Sequence, residues 1–222
     1  MESRRAHDAH ARAHRAGRAR TRGPTHGYGG TTMPMVAATA EVSTGLLYQY
    51  FPSKTDLFDE VFRQASQREI DACAAAAASE SGAGERLAAI IRTFAHRALK
   101  RPKLAWALLA EPVAPQIDED RLRFREPYRA IFVTVIEDGI DSREFRAQNA
   151  HTSAAAIVGA LAEAMIGPLA LGVLSKRAAQ RVVEDIVALC LAAVLDHAAR
   201  AAPAKKGQGA NAPVPPSAKE TP

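Results

Sequence analysis

The sequence contains few cysteines and few aromatic residues. Its 222 residues include two cysteines, Cys73 and Cys190, and 5% of the chain is aromatic. Two cysteines this far apart match no metal-binding or redox spacing, so a disulfide framework and a thiolate metal site are excluded. Their apolar, helix-forming surroundings instead indicate two reduced core thiols in a cytoplasmic protein.

Long uninterrupted apolar runs are also missing. The N-terminus lacks the apolar core of a secretory signal. The longest apolar stretch, Ala154 to Leu174, is interrupted by Glu163 and by Gly167-Pro168, which a membrane-spanning helix rarely carries together. We therefore expect a soluble, cytoplasmic protein that makes no membrane contact.

Acidic residues are scarce at the start of the chain, where arginine is abundant. Residues 1–22 carry seven arginines against Glu2 and Asp8, which accounts for the whole net charge of +5. Such a segment indicates either a polyanionic partner, such as nucleic acid, or a solvated tail. Because residues 1–26 lack aliphatic side chains other than Met1 and alanine, we expect a basic, disordered arm there. Residues 203–222, rich in proline, alanine and lysine, predict a flexible tail.

Helical periodicity dominates the residues between these two ends. Alanine is abundant and apolar residues recur at helical spacing, which predicts an all-α fold. Helix starts are indicated at residues with capping side chains, namely Thr32, Ser53 with Asp56 as a capping box, Asn149 and Ser175. Helix breaks are predicted at 79–84, Arg101-Pro102, 138–145 and Gly167-Pro168.

The stretch TTMPMVAATAEVSTGLLYQYF, residues 31–51, predicts two short helices joined near Glu41. Helices that cross steeply need apolar residues on their facing sides and a small residue at the crossing. Residues of these types are Val36, Ala37, Ala40, Val42, Leu47 and Tyr50. The same geometry turns outward residues that bond phosphates, touch base edges or admit close backbone approach, namely Ser43, Thr44, Gly45, Tyr48 and Gln49. The pattern is that of a helix-turn-helix.

Together with the following PSKTDLF, this stretch resembles the DNA-binding segment of the TetR family of bacterial repressors. The resemblance implies an N-terminal helix-turn-helix DNA-binding domain, 27–62, and a C-terminal helical ligand-binding and dimerisation domain, 63–202. It implies that double-stranded DNA is held by its backbone at Thr32, Tyr48, Tyr50 and Lys54. It implies that the major groove is faced by Ser43, Thr44, Gly45, Leu46 and Gln49. The helix N-terminus at Lys54 would also stabilise a bound phosphate through its unpaired N–H groups and the helix dipole.

Two features depart from the family pattern. Glu41 occupies the turn position where the family most often has glycine, so the turn must tolerate a strained backbone. The apolar helix that precedes the motif in the family is replaced by arginine, histidine, alanine and glycine. That segment is either a basic arm that follows DNA or the product of a shifted reading frame in a GC-rich gene. Without the helix, we expect Val36, Leu47 and Phe51 to be partly uncovered.

Four aromatic residues of the second domain indicate where a largely apolar small-molecule effector would bind: Phe94, Trp106, Tyr128 and Phe132. Ordinary core packing is the alternative for each ring. No nucleophile, acid and base are grouped, and no metal-ligand spacing occurs. The sequence therefore predicts no enzyme activity, no cofactor and no metal site.

The last predicted helix, 176–199, carries apolar residues over an arc of roughly 200°, wider than one core-facing stripe requires. One face can meet its own core and the other a partner chain. We therefore expect a homodimer joined by the helices 150–166 and 176–199. Glutamate at Val187 or Val194 is expected to yield monomers or insoluble protein.

These features favour a dimeric DNA-binding transcriptional regulator, specifically a repressor that a small-molecule effector releases from its operator. One alternative is a helical small-molecule-binding or interaction protein whose DNA-binding domain has decayed. Another is an enzyme for apolar substrates on the same scaffold.

Overall fold

The computed structural model describes residues 27–113, 115–170, 172 and 174–195. These residues form nine α-helices: α1 (Gly27–Gly30), α2 (Met33–Thr39), α3 (Thr44–Tyr50), α4 (Lys54–Ala78), α5 (Ala83–Lys100), α6 (Pro102–Leu109), α7 (Pro115–Asp141), α8 (Ala150–Ala170) and α9 (Lys176–Val194). Within these ranges the sole β pairing is an isolated bridge between Phe145 and Leu195. The all-α prediction is confirmed, whereas the expectations for residues 1–26 and 203–222 lie outside the described residues.

Side-chain caps fix where several helices begin. Ser53 Oγ accepts from the Asp56 amide at 3.1 Å, and Asp56 Oδ2 accepts from the Ser53 amide at 2.9 Å, which completes the predicted capping box. Asn149 Oδ1 accepts from the Thr152 amide at 2.8 Å at the start of α8. Ser175 caps α9 in the same way. The predicted starts of α4, α8 and α9 are therefore confirmed.

Helix α5 is the centre of the larger part of the molecule, which we call the body (α5 to α9 with the second half of α4). It packs against α4, α6, α7, α8 and α9. The side chains of Leu87, Ile90 and Ile91 on α5 are completely buried. The neighbouring helices meet them with Cys73, Phe132, Ile136, Met165, Val183 and Cys190. Both cysteines are free thiols within this core.

The smaller part, which we call the head, comprises α1 to α3 and the first half of α4. Its core consists of five buried residues: Met33, Val36, Ala37, Leu47 and Leu57. The expectation that Val36 and Leu47 are partly uncovered is wrong, since they are 6% and 3% exposed. They are covered because Met33 and Leu57 join them in one cluster, with Phe51 half-buried against it.

Two prolines lie inside helices. Helix α7 continues through Pro127, and α8 continues past the predicted break at Gly167-Pro168 to Ala170. A proline ring removes one backbone hydrogen bond from a helix. In α8 this loss falls in the last turn, where Leu169 is buried against the body core and holds the turn in place. The prediction that α8 ends before Pro168 is therefore wrong.

The apolar arc of α9 divides between the body core and the surface. Val187 and Val194 are 3% and 0% exposed within a single chain, so glutamate at either position would disrupt the core. Such disruption would give the insoluble protein that was one of the two predicted outcomes, and these two positions do not test a contact between chains. Leu189, in contrast, is 62% exposed, and Ala188, Ala192 and Ala193 are exposed beside it.

Candidate DNA-binding surface and ligand cavity

Helices α2 and α3 form the predicted helix-turn-helix. Thr32 and Ser43 cap them, each accepting a backbone amide three residues on. Val42 N donates to Ala37 O at 3.0 Å and ties the turn to the end of α2. Glu41 adopts a φ of 57°, the left-handed conformation that favours glycine. The strain expected at Glu41 is therefore present in the turn.

Helix α3 turns one polar face to solvent. Ser43, Gly45 and Gln49 are exposed, Tyr48 is 46% exposed and Tyr50 is 38% exposed. A β-carbon built at Gly45 would meet nothing within 4 Å, so the backbone there is open to close approach. Thr32 is exposed as well, whereas Thr44 and Leu46 are half-buried. Of the facing residues, Val36, Ala37 and Leu47 are buried, and Tyr50 lies at the surface instead.

Lys54 lies at the first turn of α4 and contacts Tyr28. Its Nζ donates to Tyr28 O at 3.0 Å and lies 4.1 Å from the centre of the Tyr28 ring. The Tyr28 ring packs edge-on against Phe58, and its hydroxyl lies 3.2 Å from Thr55 Oγ1. An ammonium has three N–H donors, so the hydrogen bond to Tyr28 O leaves Lys54 with donors that can bind another group.

Sequence reasoning overlooked Tyr28, although a usable signal was present. It is the first aromatic residue of the sequence, isolated in a glycine-rich stretch. A lone ring among glycines has no helical pattern around it, so periodicity assigns it no partner. The structure makes it the contact between the start of α4 and the segment before the helix-turn-helix.

A cavity of about 100 Å³ lies among α4, α5, α6, α7 and α8. Phe94, Tyr128 and Phe132 line it, and the rings of Phe94 and Tyr128 meet edge-to-face at 5.7 Å. Trp106 packs against the body core and is not among the lining residues. Burial raises the pKa of the Tyr128 hydroxyl, with Cys73 and Glu69 adding to the effect, so Tyr128 offers a neutral hydroxyl.

The cavity wall also carries charge, which the four aromatic residues alone did not indicate. Its charged lining residues are Glu69, Arg97, Arg101, Arg121 and Arg125. Arg97 is paired with Glu69, and that carboxylate raises the pKa of the Arg97 guanidinium. A signal was available, since arginines four residues apart on one helix share a face, and Arg121 and Arg125 on α7 have that spacing.

A second cavity, of about 90 Å³, separates the head from the body. Tyr28 and Phe58 line it from the head, and Lys103 and Glu111 from the body. Leu104 and Leu108 of α6 line both cavities, so this short helix is a common wall between them.

Known sequences and structures place this arrangement in a family. The family profile described as bacterial regulatory proteins, tetR family, matches residues 25–61. The profile described as tetracyclin repressor-like, C-terminal domain, matches residues 80–165. Together the two matches span more than half of the chain. No curated protein matches the sequence.

Solved structures with the same fold include three regulators. The regulator FadR from Bacillus subtilis in complex with stearoyl-CoA is 18% identical, with a TM-score of 0.71 over 79% of this chain and 96% of that one. A TetR transcription regulator from Haloarcula marismortui is 20% identical, with a TM-score of 0.70 over 85% and 99%. FadR from Bacillus halodurans is 18% identical, with a TM-score of 0.68 over 83% and 97%. With both family profiles matched and the two-part helical fold shared, the chain belongs to the TetR family of bacterial transcriptional regulators.

Proposed function

We propose that this protein is a transcriptional repressor that binds an operator through α3 and leaves it when a small-molecule effector occupies the cavity of the body. The observation that carries this proposal is the exposed face of α3, which presents hydroxyl, amide and bare backbone groups on a helix-turn-helix. Groups of these types bond phosphates and base edges.

The DNA contacts divide into two sets. Thr32, Tyr48, Tyr50 and Lys54 hold the phosphate backbone, and Lys54 does so with the donors that its contact with Tyr28 leaves over. The major groove is faced by Ser43, Thr44, Gly45, Leu46 and Gln49. Backbone contacts set affinity for every sequence alike, whereas base contacts set sequence preference.

Two substitutions on α3 separate these roles. Tyr48→Ala should weaken binding to all DNA sequences, whereas Gln49→Ala should change the preferred base at one position, a discrimination of about 1–3 kcal/mol. Gel-shift titrations against the region upstream of the gene, with single-base variants of the bound site, measure both effects. Gln67→Ala, an exposed glutamine on α4, is the control. Wild-type binding by both α3 variants would exclude this face.

Lys54 is tested by the salt dependence of DNA binding. Each phosphate neutralised by a cation adds about 0.9 to the slope of log K against log salt concentration. Lys54→Ala should therefore lower that slope by about one. An unchanged slope would leave Lys54 with a purely structural role beside Tyr28.

The proposed effector site is the cavity among α4, α5, α6, α7 and α8. Its apolar lining, including Phe94, Tyr128 and Phe132, suits a ligand with a substantial apolar part. FadR from Bacillus subtilis, which shares the fold, is in complex with stearoyl-CoA. Release follows if the effector binds better to a conformation whose paired heads miss the ~34–36 Å spacing of successive major grooves.

The exposed apolar faces of α8 and α9 are proposed to join two copies of the chain. Only 28% of an 18-residue window of α8 is buried, although the helix is apolar and long enough to cross a membrane. Its exposed residues are largely small: Ala155, Ala156, Gly159 and Ala160. With Leu189 on α9 they form a surface suited to a four-helix contact across a two-fold axis.

Leu189→Glu should convert the dimer to a monomer without disturbing the core, because the side chain is 62% exposed within one chain. Leu122→Glu is the matched control, since Leu122 on α7 is 64% exposed outside this surface. Analytical ultracentrifugation at micromolar concentration separates the species. A monomeric wild type, or dimers of the Leu189→Glu variant as stable as the wild type, would exclude this contact.

A further inference from the structure

The effector cavity is apolar in most of its wall but strongly basic at its charged positions. Four arginines against Glu69 give the lining a formal charge of +3. Arg97 is matched by Glu69, whereas Arg101 and Arg125 form no ion pair with any residue that the structure describes. Both side chains are exposed to solvent in the free protein. A ligand that covers them without offering an acidic group would remove water from unpaired guanidinium groups, which is costly. A ligand with an acidic group supplies the missing charge.

Arg121 has a second role, because it holds the end of α6 against α7. Its Nη2 donates to Ala107 O at 2.7 Å and to Glu111 O at 2.6 Å, and its Nη1 donates to Asp118 at 2.7 Å. Its Nε is buried without a hydrogen-bond partner in the described part of the chain. Arg121 therefore contacts the cavity on one side and fixes the α6–α7 connection on the other.

The side chain of Glu111, which lies in the α6–α7 connection, forms a hydrogen bond to the head. Its Oε1 accepts from the Tyr28 amide at 2.5 Å, while Tyr28 O accepts from Lys54. Gly27 has a φ of 58°, and a β-carbon there would lie 2.0 Å from Glu111 Oε1. The close approach of this carboxylate to the head thus requires glycine at position 27.

We propose that the effector is a small amphiphilic acid, and that Arg121 both receives its acidic group and transmits its arrival to the head. This inference rests on the proposed repressor function and names its ligand class and coupling residue. The cavity has a volume of about 100 Å³ and a largely apolar wall, which suits a small ligand with an apolar chain. A medium-chain carboxylate is a ligand of this kind.

Binding of the acid changes the partners of Arg121. A carboxylate forms charge-assisted, bidentate bonds with a guanidinium, which are stronger than bonds to neutral carbonyls. Arg121 and Arg125 are four residues apart on α7 and both line the cavity, so one acidic group can engage both. When Arg121 binds the acid, its hydrogen bonds to Ala107 O and Glu111 O break and the α6–α7 connection becomes less ordered. The hydrogen bond between the Glu111 carboxylate and the Tyr28 amide is then lost as well. By linkage, bound DNA must weaken acid binding by the same factor.

The ligand class is tested by titrating the full chain with octanoate, 1-octanol and octylamine. Octanoate carries both an apolar chain and a carboxylate, whereas octanol and octylamine keep the chain and replace the acidic group. Trp106, the one tryptophan of the sequence, lies on α6 and reports binding by its fluorescence. Octanoate should bind at least about tenfold more tightly than octanol, equivalent to about 1.4 kcal/mol, and octylamine should bind weakest. Equal affinity for acid and alcohol, or no binding of the acid, overturns the proposal.

Two arginine variants test the residues. Arg121→Gln and Arg125→Gln should each weaken octanoate binding about tenfold and leave octanol binding unchanged. Arg177→Gln, an exposed arginine at the start of α9, is the matched control. If Arg121→Gln fails to fold, Arg125→Gln carries the test alone. Unchanged octanoate affinity in Arg125→Gln, together with unchanged affinity in any folded Arg121→Gln protein, overturns the assignment.

The coupling is tested with Glu111→Ala, which removes the carboxylate that grips Tyr28 but leaves the arginines in place. This variant should bind octanoate at least as tightly as the wild type, because no contact with Tyr28 has to be broken, while its DNA affinity no longer responds to octanoate. A wild-type response in this variant overturns the coupling route. If the wild type binds octanoate in the charge-dependent way but binds no operator DNA, the repressor function fails and the ligand class stands.

Discussion

The head and the body differ most in the size of their cores. In the described part of the chain the head core contains five buried apolar residues, whereas the body core contains 26. Burying a large apolar side chain contributes roughly 1.5–3 kcal/mol. A core of five residues therefore gives the head a small free energy of unfolding, and little of it can offset backbone strain. The head nevertheless carries a left-handed Glu41 and an exposed tyrosine pair on α3.

Contacts with the body and with α4 compensate for the small core of the head. Helix α4 runs through both parts, and Tyr28 connects the head to Glu111 of the body and to Lys54 of α4. A small core held by a few directional contacts can change its position at low energetic cost, which the proposed release from DNA requires. A large core such as that of the body supplies the rigid frame around the cavity.

The largest expected effect is in the body core. Ile136→Ala removes a completely buried side chain of α7 and should lower the free energy of unfolding by about 2–5 kcal/mol. Urea denaturation followed by circular dichroism measures the loss. Leu122→Ala on the same helix is the control and should cost less than about 0.5 kcal/mol, because Leu122 is mostly exposed. A loss below about 1 kcal/mol for Ile136→Ala would show that the body core is looser than its burial indicates.

In the head, Leu47→Ala should cost about 2 kcal/mol but act locally. Operator binding should fall strongly, while the main unfolding transition of the body stays in place. Met35→Ala on α2 is the matched control and should leave head stability nearly unchanged, because Met35 is 42% exposed. If Leu47→Ala shifts the main transition as far as Ile136→Ala does, head and body unfold as one unit and the contrast between them fails.

Amide hydrogen exchange and thiol labelling measure the difference in stability between head and body at individual sites. Hydrogen exchange should be fastest in the residues up to Phe51 and slowest in α5. Burial raises the pKa of Cys73 to about 12 and of Cys190 to about 11, so both remain neutral thiols at pH 8. A thiol reagent should therefore label the native protein slowly, and still slowly in urea that already opens the head. Rapid labelling at that urea concentration would place the weak region in the body.

The smallest effect is expected at Glu41. Glu41→Gly relieves the left-handed strain, worth about 1–2 kcal/mol, but gains backbone entropy in the unfolded chain worth roughly 0.5–1 kcal/mol. The head should be stabilised by about 1 kcal/mol or less, seen as slower hydrogen exchange in α2 and α3. Glu41→Ala keeps the strain and is the control. Equal exchange rates in the two variants would show that the turn stores no strain.

Local sequence signals predicted much of this fold. Ser53 with Asp56 and Asn149 cap helices by contacts within three residues, so their effect is readable without knowledge of the rest of the chain. The failure at Pro168 has the opposite cause, because burial of Leu169 by distant helices maintains a turn that proline alone would end. Val187 and Leu189 are both apolar residues of one wide arc, and the sequence offers no means to tell the core residue from the surface one.

The sequence by itself determined the helices, the helix-turn-helix and the strained turn at Glu41, because periodicity, caps and backbone conformation depend on neighbours along the chain. The tertiary structure alone decided that Val36 and Leu47 are covered, that Arg121 reaches the carbonyls of Ala107 and Glu111, and that Glu111 meets Tyr28 across 83 residues. Contacts at such separation depend on how helices pack, and packing is set by the summed shapes of many side chains rather than by any local pattern.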